Sequence, residues 1–201
     1  MGPPIFFDTT GATPLGVVAF WLTFYAWVLS ELFLGWKKRA PATASAQDRG
    51  SRWMVIAGVW LSVTLGIGLA FAVPALALRT GRPAFLLVGI ALMIAGMALR
   101  WYAIRVLGRS FTFIVATQPG QQVMDRGPYR LVRHPSYSGS LITILGVLVA
   151  CANPLSLLGL LPALIGYAYR IRVEEETLSE NLGEAYRSYM RRTRRLIPFL
   201  L

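Results

Sequence analysis

The reading of this chain turns on Arg126-Gly127-Pro128-Tyr129-Arg130-Leu131-Val132-Arg133-His134-Pro135-Ser136-Tyr137-Ser138-Gly139. Three arginines and the only histidine of the chain stand here, just before an apolar run that begins at Leu141. Pro128 has no N–H and steers Gly127 away from helix; Pro135 does the same to His134. Gly127 and Gly139 let backbone or a ligand come close. A turning, hydrogen-bonding segment beside an apolar run reads as the wall of a polar-ligand site. It reads equally as a solvated loop between two membrane helices, where basic residues are ordinary. Its own residues leave both open.

Working outward, the 201 residues are 55% hydrophobic and only 14% charged, where a soluble domain is about 25% charged. That points to an integral membrane protein. The net charge of +11 would favour nucleic acid in a soluble chain. Here the basic residues lie between apolar runs, so membrane lipids are the expected partner and nucleic acid is not. The single cysteine, Cys151, excludes an intramolecular disulfide and a cysteine metal cluster; no metal is expected. Residues 1–14 carry no basic residue, so a secretory signal is not expected. Phe6 stands where a myristoylation signal needs Ser or Thr.

The first apolar run, Leu15 to Trp36, is long enough to cross a membrane and ends at Lys37-Lys38-Arg39. Glu31 within it reads as interfacial, near that basic end, in preference to a polar-site residue. Pro41 to Gly50 is a flexible loop. The second run is Trp53 to Leu78, with Pro74 able to kink or end it. The third is Ala84 to Leu107, with Gly89, Ala95 and Gly96 as small packing surfaces and Arg100 and Arg105 marking its exit. Leu141–Ala152 and Leu155–Tyr169, joined at Asn153-Pro154, read as a helical hairpin. The expected fold is all-α integral membrane, one domain over 1–201. It has about five transmembrane helices: two N-terminal spans in 1–83, and three more in 84–201. Of the 20 Lys and Arg residues, 18 fall on one side of these spans. The positive-inside rule then puts the N-terminus outside and the C-terminus in the cytoplasm.

After the fifth run comes Arg170-Ile171-Arg172-Val173-Glu174-Glu175-Glu176. Leu178, Leu182, Ala185 and Tyr189 recur at helical spacing, as in an amphipathic helix. Arg170 and Glu174 can face each other. Three consecutive acids at a membrane surface call for positive partners, which the 126–139 stretch supplies from the same side.

Gly127-Pro128-Tyr129-Arg130, Arg133-His134-Pro135-Ser136-Tyr137-Ser138-Gly139, Arg170 followed by Glu174-Glu175, Gly183-Glu184-Ala185-Tyr186-Arg187-Ser188-Tyr189 and Ile197-Pro198 together resemble the isoprenylcysteine carboxyl methyltransferase family. Phospholipid N-methyltransferases are related to it. The resemblance covers roughly the last 90 residues; the first two spans match only in hydropathy. It implies an S-adenosyl-L-methionine-dependent methyltransferase releasing S-adenosyl-L-homocysteine. The cofactor pocket would be cytosolic, formed by the loop before the last hairpin and the C-terminal amphipathic helix. Cofactor contacts would fall at Gln121, Gln122, Val123 and Met124, then Tyr129, His134, Pro135, Ser136, Tyr137 and Glu175. Arg170 would bind substrate and, with Glu175, count as catalytic. Two departures stand out: Met124-Asp125-Arg126 replaces a more usual Val-Thr-x, and Leu182 replaces Phe before Gly183.

The chemistry agrees. A thiolate or carboxylate acceptor is already ionised, so positioning and exclusion of water supply most of the help. No Rossmann glycine fingerprint is present. The implied acceptor is lipid-like: a prenylcysteine carboxylate, a phospholipid amine, a small thiol or a quinol-like hydroxyl. An NADPH-dependent sterol-type reductase and a non-catalytic membrane binding protein are the alternatives from other classes.

Overall fold

The apolar runs fold into helices because no water is available in a bilayer to satisfy an open backbone. A computed structural model describes residues 14–37, 45–46, 48–78, 80–108, 116–117 and 122–197. The helices are α1 (Pro14–Lys37), α2 (Ser51–Ala72), α3 (Arg82–Leu107), α4 (Pro135–Ala150) and α5 (Leu160–Arg192). Beside them, β1 (Ser45–Ala46) and β2 (Ala116–Thr117) pair antiparallel over two residues, joining the α1–α2 and α3–α4 loops. Four segments, carrying α1, α2, α3 and α5, are long and apolar enough to cross a membrane. α4, with 16 residues, is shorter, but most of its residues are buried, so neighbouring helices shield it from lipid. Leu22, Leu29, Leu87, Ile94, Leu161 and Ile165 face outward. The protein is an integral, multi-pass membrane protein.

Proline sets several boundaries. The second run stops as α2 at Ala72, short of the expected Leu78. Pro74 cannot continue the helix and opens a 3₁₀ turn over Pro74–Leu76. Pro83 and Pro135 stand in the first turns of α3 and α4, where a missing N–H costs nothing. After α4, Asn153 caps the next turn: its side chain accepts from the Leu155 N–H and donates to the Val73 carbonyl. The expected amphipathic helix continues from the fifth apolar run as the second half of α5. α5 runs on from the membrane through Glu174–Glu176 and breaks its helical geometry only at Gly183 (φ 58°, ψ −134°), a conformation that glycine alone adopts readily.

Two helix pairs form the core. On α3 and α4, Gly96 faces Gly139 and Gly89 faces Gly146. A Cβ on Gly96 would lie 2.5 Å from the Gly139 carbonyl oxygen, and one on Gly146 2.5 Å from that of Gly89. On α2 and α5 a Cβ at Gly58 would meet the Pro162 carbonyl at 2.7 Å, and one at Gly166 that of Met54 at 2.7 Å. Such backbone proximity is how helices associate where lipid removes the hydrophobic drive. α1 leans on α3 through the Phe33–Trp101 stack, at 6.2 Å between ring centroids, and the Leu34–Ile104 cluster. An apolar cleft lies between α1 and α2.

Candidate functional site

The 126–139 stretch is held open by hydrogen bonds rather than helix. Gly127–Arg130 form a 3₁₀ turn. Residues after α5 then return alongside it: Arg133 N–H donates to the Arg194 carbonyl at 2.7 Å, and His134 N–H to that of Arg195 at 3.0 Å. Ser138 Oγ donates to the Leu196 carbonyl at 2.6 Å. The basic stretch, the end of α5 and the returning tail thereby close around Glu175.

Glu175 is buried and gathers three basic side chains. Its Oε1 accepts from Arg133 Nε at 2.7 Å and lies 3.3 Å from His134 Nε2; its Oε2 lies 2.9 Å from Arg195 Nη2. Burial acts to raise this carboxyl, but hydrogen bonds from His134, Arg133 and Arg195 overcome it and hold the pKa down at about 2. Arg133 also donates to the Met190 and Thr193 carbonyls. Burial pushes the Tyr129 and Tyr186 hydroxyls well above their ordinary value, so both stay neutral. Tyr189 donates to the Tyr129 carbonyl at 2.7 Å.

A second network starts at Tyr137, whose ring stacks on His134 with centroids 5.4 Å apart. Tyr137 Oη donates to Glu174 Oε2 at 2.6 Å and accepts from Arg170 Nε at 3.2 Å. Glu174, expected opposite Arg170, is thus reached through Tyr137. The ion pair of Arg170 is with Asp48, from the α1–α2 loop, and its Nη1 also donates to Ser51 Oγ at 2.8 Å.

Two expectations are corrected. Glu31 is not merely interfacial: its carboxylate takes both Nε (2.5 Å) and Nη2 (2.7 Å) of Arg100. Arg100, read from sequence only as a marker of the end of the third span, is turned into the bundle. It is 6% exposed, and its Nη1 donates to Ser136 Oγ at 2.9 Å. Sequence distance from Lys37 or Leu107 did not reveal the pair, because the partner of each lies across the bundle.

The cleft between α1 and α2 has a volume of about 470 Å³. Its walls are apolar, with Trp27, Trp36, Val59 and Trp60 among them. At its polar end stand Glu31, Arg52, Arg100, Tyr137, Tyr167 and Arg170. Tyr137 thus belongs both to the cleft and, through His134, to the cluster around Glu175.

Of the residues singled out from sequence, the structure joins Arg170, Tyr137 and His134 with Glu175, and ties Ser136 to Arg100. Pro135 opens α4 between them. Tyr129 connects through Tyr189. Gln122, Val123 and Met124 precede the 3₁₀ turn and are exposed or half-buried. No hydrogen bond or ion pair among the described residues ties them to this network. Gln121 lies outside the described residues. Sequence reasoning missed Asp48, Ser51, Arg52, Trp27, Tyr167 and Arg195. Asp48 had a signal: it is the one acid between Lys38 and Arg52, on the same side as Arg170.

A model of the isoprenylcysteine carboxyl methyltransferase (ICMT) family matches residues 88–180. A probable protein-S-isoprenylcysteine O-methyltransferase of Oryza sativa subsp. japonica is 35% identical over 116 residues, covering 56% of this chain and 61% of its own length. Protein-S-isoprenylcysteine O-methyltransferase B of Arabidopsis thaliana is 35% identical over 56% of this chain and 58% of its own. The Saccharomyces cerevisiae protein-S-isoprenylcysteine O-methyltransferase is 35% identical over 56% and 48%. The alignments thus span about half to three-fifths of these relatives. The structure of a eukaryotic intramembrane Ras methyltransferase, ICMT, aligns with a TM-score of 0.57 and 24% identity, over 70% of this chain and 52% of that one, a likeness of fold. The segment from 88 to 180, which holds Arg100, the polar stretch, Arg170 and Glu175, is the part of this chain that is similar to the isoprenylcysteine carboxyl methyltransferase family.

Proposed function

We propose that this protein is a membrane methyltransferase that uses S-adenosyl-L-methionine to methylate a carboxylate on a lipid-like acceptor. The observation that carries it is the position of Tyr137. One side of its ring stacks on His134 of the polar cluster, while the residue also lines an apolar cleft. A water-soluble donor and a lipid acceptor have to meet at such a junction. The donor set fits S-adenosyl-L-methionine: Glu174 and Glu175 suit its cationic groups, Arg133 and Arg195 its carboxylate, and the His134, Tyr129 and Tyr137 rings its adenosine. Gln122, Val123 and Met124 would add backbone contacts, with Pro135 and Ser136 fixing the turn. When bound, it supplies a methyl group activated on sulfur.

The chain's own work is positioning. Tyr137 Oη, set between Arg170 Nε and Glu174, is held in one orientation. Arg170 orients the acceptor at the polar end of the cleft. An ionised carboxylate needs no base, and the apolar walls keep water from competing for the methyl group. The split of basic residues supports a cytoplasmic site, with the N-terminus and Asn153 outside. The test is incubation of the purified protein with methyl-labelled S-adenosyl-L-methionine and four acceptors: a prenylated thioether carboxylate, a phospholipid amine, a small thiol and a quinol. Label in the prenylated carboxylate is expected; label only in another acceptor would overturn the assignment.

A further inference from the structure

Three arginines line the cleft, and they are not equivalent. Arg100 carries its own acid, Glu31, in a two-pronged pair, and Arg170 carries Asp48. Both guanidiniums are therefore hydrogen-bond donors with little net charge to offer. Arg52 differs. Its side chain has no acid partner among the described residues; its backbone N–H, not its guanidinium, is bonded to Asp48. It stands in the first turn of α2, next to the positive end of the helix dipole, where a cation is disfavoured. Its guanidinium lies 5.1 Å from the Trp53 ring centroid, an arrangement that directs it without neutralising it. Arg52 is thus the one arginine lining the cleft that has no acid paired with its guanidinium among the described residues. A further group on the wall lacks a partner: the indole N–H of Trp27, a buried residue, has no hydrogen-bond acceptor among the described residues. A donor left unsatisfied in an apolar wall is costly and marks the cleft as a place that a ligand fills.

We infer that Arg52 is the specificity-determining residue of the cleft: its uncompensated charge selects a lipid-like acceptor bearing a single negative charge, while Arg170 orients that acceptor. This rests on the proposed carboxylate acceptor and adds the residue that discriminates for it. A zwitterionic phospholipid amine has no net charge for Arg52 to attract, and a neutral quinol gains nothing from it.

The test uses equilibrium binding, independent of turnover. The purified full-length protein is titrated with a farnesyl thioether carrying a free carboxylate and with the matching primary amide. Binding is read from the fluorescence of the tryptophans lining the cleft. The wild type is expected to hold the carboxylate about tenfold more tightly, the low end for a charge-assisted hydrogen bond. Arg52→Gln is expected to remove that preference, leaving amide affinity and the thermal midpoint nearly unchanged, since the side chain makes no ion pair with any of the described residues. Arg52→Lys should restore most of it, because charge rather than a forked geometry is what Arg52 supplies. A wild type that prefers the carboxylate together with an Arg52→Gln variant of equal preference would overturn the role of Arg52 alone. A wild type that binds both equally would remove the carboxylate reading and the role of Arg52 with it.

Discussion

Replacing Glu175 by Gln keeps the size of the side chain and removes its charge. In the wild type the carboxylate receives Arg133 at 2.7 Å and Arg195 at 2.9 Å, with His134 at 3.3 Å. The amide would turn an NH₂ group toward at least one of the two guanidiniums. Arg195 is 58% exposed and can turn to water at little cost. Arg133 keeps the Met190 and Thr193 carbonyls on Nη1, but its Nε is stranded in a buried site. Breaking one charge-assisted hydrogen bond there costs about 1.5–3 kcal/mol, or about tenfold to hundredfold in an equilibrium. The control is Glu176→Gln. That side chain is 39% exposed and pairs with Arg49 and Arg172 on the surface, where solvent screening leaves an ion pair little effect. Calorimetry with S-adenosyl-L-homocysteine should show a tenfold or greater loss for Glu175→Gln and little change for Glu176→Gln. Amide exchange at Arg133 and His134, whose N–H groups bond to the returning tail, should accelerate only in the first variant. Equal affinities in the two variants would refute the placement of Glu175 at the cofactor. Unchanged exchange would refute its structural role.

Four further outcomes are expected. The Glu175 carboxyl titrates at about 2 when folded, against an ordinary 4.5; its stabilisation is complete above about pH 4.5 and fades as pH falls through about 2, so Glu175→Gln should flatten the acid limb of thermal stability. Gly96→Ala, which sets a Cβ 2.5 Å from the Gly139 carbonyl oxygen, should lower the thermal midpoint by an amount equivalent to about 1–3 kcal/mol, whereas Gly35→Ala, with open space around it, should not. In a background lacking Cys151, a cysteine at Pro154 should be labelled only from outside and one at Arg126 only from the cytoplasm; the reverse would overturn the orientation. Arg170→Lys should leave S-adenosyl-L-homocysteine affinity nearly intact and lower kcat or raise KM for the acceptor, because lysine cannot reproduce a forked geometry; wild-type turnover would show that Arg170 has no substrate role.

The helices were legible because bilayer length and proline chemistry act locally. Pro83 and Pro135 mark the starts of α3 and α4, and Pro74 the stop of α2. Arg133, His134 and Glu175 were legible as partners in kind, since a basic turn and an acidic helix end on one side of a membrane attract. What the chain order conceals is which charges pair. Arg170 meets Asp48 across 122 positions, and Arg100 meets Glu31 across 69. Those pairs depend on how far α2 sinks against α5 and α1 against α3. Gly58, Gly166 and the aromatic packing of α1 on α3 decide that depth. The expectation for Glu31 failed for this reason: its nearest charge along the chain was Lys37, but its partner came from another helix.

The origin of the acids bears on how labour is divided within the molecule. Arg100, Arg170, Tyr137, His134 and Glu175 all lie in the segment matched to the family, 88–180. Glu31, Asp48 and Arg52 lie before it, on α1, the α1–α2 loop and α2. A buried arginine whose acid is removed becomes an uncompensated charge, costly near lipid. The N-terminal helices are therefore not a passive anchor, because they neutralise the two arginines that the matched segment places at the cleft. They also supply most of the residues that line the cleft, Trp27, Trp36, Val59 and Trp60 among them. On the proposed function, changes in the first 60 residues are expected to alter acceptor selection more than donor binding. Changes around Glu175 would do the opposite.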